Sequence, residues 1–234
     1  MKYVFLVLFS FILLNCEDKQ SSKNTKDSLK ETPKKVKKDS LLHIQTKIED
    51  TIKLSDKNAM EFFLHYEKEN PENKVRITTR FGTIDILLFN ETKFHRANFI
   101  FLTKQGYFTD TQFYRVIDNF IIQAGNSDNS EIAKKRNKIG KYLLPTDTKR
   151  GFKHERGVIS MPSSEIENPY KLASPFEFFI VQQEGGAHHL DGDYTIFGKV
   201  INGMDVVDTI AKQKTDDSDW PLSNIYIKNV EIIN

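Results

Sequence analysis

The chain has 234 residues, 38% of them hydrophobic and 12% aromatic, enough to bury one sizeable core, and a formal net charge of +2. Residues 17–40 hold eight Lys against five acidic residues, so that, with Lys2 set apart, residues 41–234 net −2. A folded part without clustered positive charge cannot displace counterions from phosphates, which excludes a nucleic-acid surface, and the single cysteine, Cys16, excludes an intrachain disulfide.

Residues 1–15 begin with Lys2 and continue as an apolar run from Tyr3 to Leu14, broken only by Ser10. Such a run is too short to span hydrocarbon, which needs about 20 residues, and fits the apolar region of an export signal, outside the fold. Its end, Leu13-Leu14-Asn15-Cys16, resembles the lipobox of bacterial lipoproteins, with Asn15 where that family usually has Gly, Ala or Ser. The resemblance implies lipid attachment at Cys16 and a protein held to a membrane of the bacterial cell envelope, facing periplasm or exterior. Each buried methylene of such an anchor contributes about 0.8 kcal/mol. The competing reading is an ordinary signal peptide with an incidental cysteine.

Residues 16–40 are rich in Lys, Ser, Asp and Glu, with only Leu29 and Val36 apolar after Cys16, and read as a disordered linker. Between 41 and 73, Leu41, Ile44, Ile48 and Ile52, then Met60, Phe63 and Leu64, recur at helical spacing, which predicts a helical extension of two short helices ended by Asn70-Pro71. From 74 onward the period changes to two. Val75 to Thr79 and Thr83 to Leu88 predict a hairpin, and Lys93 to Gln105 an amphipathic helix stopped at Gly106. Further strands are expected at Gln112 to Ile117, Phe120 to Gln123, Gly157 to Met161, Phe176 to Val181, Thr195 to Val200 and Ile225 to Ile232, and a helix at Met204 to Lys212. Asn126 to Thr148 reads as a solvated surface loop. About eight strands and two helices predict a mainly β fold, a closed antiparallel barrel.

The run Phe113-Tyr114-Arg115-Val116-Ile117-Asp118-Asn119-Phe120-Ile121-Ile122-Gln123-Ala124-Gly125 resembles the cyclophilin signature. Arg156 to Met161, Phe178-Phe179-Ile180, His189-Leu190-Asp191-Gly192, Tyr194 and Phe197-Gly198-Lys199-Val200 follow in that family's order. The resemblance covers roughly 74–234 and implies an eight-stranded cyclophilin-like barrel capped by two helices. It also implies peptidyl-prolyl cis-trans isomerase activity on proline-containing polypeptides.

That chemistry needs no nucleophile, metal or cofactor. Amide resonance sets a barrier of about 18–20 kcal/mol to rotation about the X-Pro bond. A hydrogen bond to the prolyl nitrogen draws its lone pair out of conjugation, and an arginine presents charged donors in a fixed fork. The resemblance makes Arg115 that donor, with Phe120 and Gln123 as its catalytic companions. It places Ile121, Ser163, Glu177, Phe179, His189, Leu190 and Tyr194 around the substrate, with Phe179 as the floor of a proline pocket and Phe178 in the core. His188-His189 has no accompanying ligand spacing, so no metal is expected.

Three departures touch the expected activity. Pro162-Ser163-Ser164 stands where the family usually reads Ala-Asn-Ala, which removes a backbone donor. Glu177 stands where a glutamine is common and could pair with Arg115. Ala124 replaces the first of two glycines. Pro162 and Glu177 favour a competing reading, a low-activity peptide-binding or chaperone-like module. A third reading takes the linker and helices as an anchored assembly component. The domain is expected to be a monomer.

Overall fold

The computed structural model describes residues 53–163 and 168–234. The expected signal segment, Cys16, the linker and the first helix of the extension lie outside the described residues. All described residues belong to one compact unit, Ile48–Asn234.

The described chain begins with β1 (Leu54–Ser55) and α1 (Ala59–Glu69), then the hairpin β2 (Lys74–Thr79) and β3 (Gly82–Leu88), and α2 (Lys93–Lys104). Next come β4 (Gln112–Ile117), β5 (Ile121–Asn126), α3 (Ser130–Ile139), β6 (Gly140–Lys141), β7 (Val158–Met161) and β8 (Phe178–Val181). β9 (Thr195–Asn202), α4 (Met204–Ala211), β10 (Ile225–Tyr226) and β11 (Asn229–Ile232) complete it. Nine strands make one antiparallel sheet in the order β10-β4-β5-β8-β7-β9-β3-β2-β11.

The closed eight-stranded barrel with two helices is corrected to this curled nine-stranded sheet with four α-helices among the described residues. The expected last strand is two strands, one at each edge. Ile227 donates its N–H to Thr111 O at 2.8 Å beside one edge, and Lys228 donates to Thr78 O at 2.8 Å on the other. The C-terminal segment thus crosses between the edges within two residues, and covalent continuity brings them together where no strand ladder joins them.

Alternation divides the sheet between two apolar clusters. Ile122, Phe178, Ile180, Ile159 and Phe197 turn into the main core with Phe99 and Phe101 of α2 and Val207 and Ile210 of α4. Their sequence neighbours Ile121, Phe179, Val181, Val158 and Ile196 form the second cluster. Both faces of these strands are apolar, which is why Phe-Phe-Ile-Val can stand as an unbroken hydrophobic run.

One segment differs from expectation. The region from Asn126 to Thr148 contains α3, anchored by buried Ile132 and Ile139 and capped by Asn129, whose Oδ1 accepts the Glu131 N–H at 2.9 Å. Two apolar residues seven apart gave too weak a helical signal amid its charges. α1 packs into the main core through Ala59, Phe63 and Tyr66. Buried Arg96 of α2 donates to Glu67 O, Asn70 O and Glu72 O at 3.3, 2.9 and 3.1 Å, satisfying carbonyls at the end of α1. β1 pairs in parallel with β6, and a Cβ on Gly140 would stand 2.0 Å from Leu54 O, so only glycine fits there.

Candidate active site

β4, β5, β8, β7 and β9 bring one residue each into a single cross-strand row. Arg115 stands opposite Gln123, Gln123 opposite Phe179, Phe179 opposite Ser160, and Ser160 opposite Ile196. Directly opposed residues project from the same face, so a cation, an amide and an aromatic ring share one surface. Asn119 supplies the turn between β4 and β5 with φ 53°, a left-handed conformation that asparagine tolerates.

Five of the residues expected to surround the substrate fall in or against the second apolar cluster. Ile121 and Phe179 are buried in it, and Phe120, Leu190 and Tyr194 are partly buried against it. Tyr194 meets Phe179 edge-on, with centroids 5.8 Å apart and planes at 88°. A short 3-10 turn, His188–Leu190, puts exposed His189 in a stack with Phe120 at 5.3 Å and 25°. Partly exposed rings around a buried floor suit a small apolar ligand part.

Behind Phe179 lies His154, parallel to it at 6.0 Å. Its Nδ1 is 2.9 Å from Asp191 Oδ1 and its Nε2 is 3.3 Å from Ser160 Oγ, which donates to Thr195 O at 2.8 Å. Burial pushes the His154 pKa down against the pull of Asp191. Burial also pushes Asp191 up, but hydrogen bonds from the His154 backbone and ring and from Lys153 outweigh it and hold Asp191 at about 2. A neutral imidazole paired with a carboxylate therefore lies against the Phe179 ring.

On the polar side, Gln123 Nε2 donates to Tyr114 Oη, which donates to Glu177 Oε2 at 3.0 Å. Burial, then the neighbouring Glu177 charge, pushes the Tyr114 hydroxyl pKa well up, so it stays a donor. Glu177 also faces Arg136 Nη1 at 3.7 Å and Asn126 Nδ2 at 3.4 Å. Arg115 pairs instead with Asp219, Nε to Oδ2 at 3.3 Å, so the anticipated Arg115–Glu177 contact gives way to another carboxylate. The motif's Gly125 has φ 103°, and a Cβ there would stand 2.2 Å from Phe176 O, which lets β5 run close beside the Phe176-Glu177 segment.

Ser163 and Glu177 line a cavity of about 550 Å³, together with Asp56, Arg136, Lys141 and Phe176. Pro162 lies buried at the end of β7 with its carbonyl accepting the Ser174 N–H at 2.8 Å. Sequence reasoning passed over Tyr114, Asp219, Trp220, His154 and Asp191 as site residues. Tyr114 could have been found from its place beside Arg115, and Asp219 from its place before the chain's only tryptophan. Nothing short-range marks His154.

The sequence profile described as cyclophilin type peptidyl-prolyl cis-trans isomerase/CLD matches residues 74–232. The chain is 37% identical over 169 residues to peptidyl-prolyl cis-trans isomerase-like 2 of Rhizopus delemar, covering 71% of this chain but only 30% of that protein. It is 32% identical over 160 residues to peptidyl-prolyl cis-trans isomerase-like 3 of Dictyostelium discoideum, covering 68% of this chain and 94% of that one. A peptidyl-prolyl cis-trans isomerase of the bacterium Acinetobacter baylyi is 33% identical over 145 residues, 60% of this chain and 73% of that protein. A crystal structure of a Cryptosporidium parvum cyclophilin type peptidyl-prolyl cis-trans isomerase superposes with TM-score 0.59 and 30% identity over 70% of this chain and 98% of that one. The same protein determined in the presence of the dipeptide Ala-Pro gives TM-score 0.58, over 69% of this chain and 99% of that one.

Proposed function

Because the chain belongs to the cyclophilin-type peptidyl-prolyl cis-trans isomerase family and is an enzyme of that class, we propose that Arg115 donates to the prolyl nitrogen of a polypeptide seated over Phe179. The observation that carries this is the row Arg115, Gln123, Phe179, which sets a cation and an aromatic floor on one face with an amide between them.

The pyrrolidine ring enters the hollow over Phe179, between Ile121, Phe120 and Leu190, and is held there by apolar contact. The carbonyl before it turns while the Arg115 guanidinium draws the prolyl lone pair out of the amide, lowering the barrier. Gln123, with its Nε2 committed to Tyr114, presents Oε1 to a substrate backbone N–H. No covalent bond forms or breaks. The dipeptide Ala-Pro, in whose presence the Cryptosporidium parvum protein was determined, is the shortest kind of peptide with an X-Pro bond.

The extracytoplasmic setting belongs to the same proposal. The apolar run before Leu13-Leu14-Asn15-Cys16 supports export and lipidation, and the Lys-rich linker gives the catalytic domain reach from a membrane. Among the described residues no helix is long and apolar enough to cross a membrane. The enzyme then assists folding of proteins outside the cytoplasm. A second reading, peptide gripping without useful turnover, draws on Pro162, which offers no N–H to a peptide lying along the end of β7.

A protease-free isomerisation assay with an Ala-Pro peptide tests the catalytic reading: wild type accelerates exchange and Arg115→Ala does not. Equal rates in the two proteins would leave the gripping module standing. Labelling with a fatty-acid analogue in a bacterial host tests the anchor, since Cys16→Ser should lose both label and membrane association.

A further inference from the structure

The partner of Arg115 comes from a loop that the family motif does not include. Between α4 and β10 the chain folds back so that Leu222 donates its N–H to Lys214 O at 2.9 Å and Asp216 donates to Trp220 O at 2.9 Å. The Asp216 carboxylate accepts the N–H groups of Ser218 and Trp220, each at 2.9 Å. Inside this loop Asp219 takes φ 65°. Its carbonyl accepts the Val116 N–H at 2.9 Å, which pins the loop to β4 one residue from Arg115. Its carboxylate accepts from Arg115 Nε, and Trp220 lies against Tyr114 at 5.9 Å, on the arm that holds Gln123.

We propose that Asp219 is a positioning residue for the isomerase reaction: it holds Nε of Arg115 so that the remaining guanidinium donors face the prolyl nitrogen. The Arg115 side chain is 41% exposed and, untethered, would sample many rotamers. Among the described residues no hydrogen bond engages Nη1 or Nη2 of Arg115, so the Nε contact fixes the fork without consuming its outer donors. The backbone bond to Val116 fixes Asp219 in turn, which makes the carboxylate a preorganised acceptor rather than a mobile counter-ion. This inference rests on the reading of Arg115 as the catalytic donor.

Asp219→Gly removes the side chain while favouring the left-handed backbone, and Asp219→Asn keeps an acceptor in a residue that also tolerates that backbone. Using the full chain, kcat is read by NMR exchange at saturating Ala-Pro peptide, affinity by peptide titration, and the tether by the heteronuclear NOE of the Arg115 Nε–H signal. Asp219→Gly should lower kcat about two- to fivefold, the scale of a half-exposed ion pair, with affinity and thermal midpoint nearly unchanged and the Arg115 NOE reduced. Asp219→Asn should recover part of both. Wild-type kcat in Asp219→Gly, a loss of kcat with an unaltered Arg115 NOE, or an Asn variant no better than the Gly variant would overturn the proposal. If Arg115→Ala itself retains the wild-type rate, the premise has failed instead, whatever the Asp219 variants do.

Discussion

Arg115 and Phe179 stand in the same cross-strand row, two strands apart, with Gln123 directly between them. Neighbouring strands lie about 4.8 Å apart, so their Cα atoms are separated by roughly 10 Å, a span that a proline and its preceding peptide unit can bridge. The relationship makes the cation and the ring a single site although 64 positions separate them in the chain.

Removing the guanidinium should therefore abolish most of the chemistry and little of the fold. Arg115→Ala is expected to lower the isomerisation rate by about two orders of magnitude, the scale seen when one preorganised donor is lost. Its thermal midpoint should stay near wild type, because the side chain is 41% exposed. Arg115→Lys should recover little, since an ammonium has no fork to divide between Asp219 and the substrate. A protease-free rate assay alongside thermal melts checks all three.

Tyr114 links Gln123 to Glu177, and Tyr114→Phe deletes only the hydroxyl that makes the link. A partly buried hydrogen bond to a carboxylate is worth about 1.5 kcal/mol, so urea unfolding should show a loss of that order. Gln123 loses its anchor as well, and kcat/KM should fall a few-fold. A Phe variant with wild-type stability and rate would mean that the hydroxyl is idle.

His95 of α2 is fully buried, and neither ring nitrogen has a hydrogen-bond partner among the described residues. Burial drives its pKa from the ordinary 6.5 to about 4, against a smaller opposing pull from Asp147. Below pH 6.5 the unfolded chain takes a proton that the folded chain refuses, so stability falls as the pH drops from 6.5 toward 4. The slope reaches about 1.4 kcal/mol per pH unit, and His154, also depressed, acts in the same direction. Asp191, held at about 2, adds its own loss at lower pH, as it protonates. In urea unfolding at pH 7.5, 5.5 and 4.5, His95→Leu should gain stability relative to wild type as the pH falls, because only the wild type carries the depressed group; parallel curves would contradict the assignment.

Residues 53–73, ahead of the family-matched region, carry a helix that packs into the main core. Phe63 is fully buried among Phe62, Phe101 and Tyr142, and Phe63→Ala should cost about 3–5 kcal/mol by urea unfolding. A fragment beginning at Lys74 would also leave the buried Arg96 without its Glu67, Asn70 and Glu72 carbonyls, and should unfold or aggregate. A fragment from Lys74 with wild-type midpoint and activity would refute this.

By itself the sequence determined the strand periods, the Asn119 turn, and the division of Phe178 and Phe179 between opposite faces, because alternation and turn chemistry act over a few residues. It also carried the Arg115 to Gln123 motif within one hairpin. Only the tertiary structure decided that the last strand splits between two edges, that Tyr114 bridges Gln123 and Glu177, and that the carboxylate beside Arg115 is Asp219. The reason is the separation of the partners: Tyr114 meets Glu177 across 63 positions and Arg115 meets Asp219 across 104, and no local pattern encodes which distant residue a curled sheet will return to a given side chain.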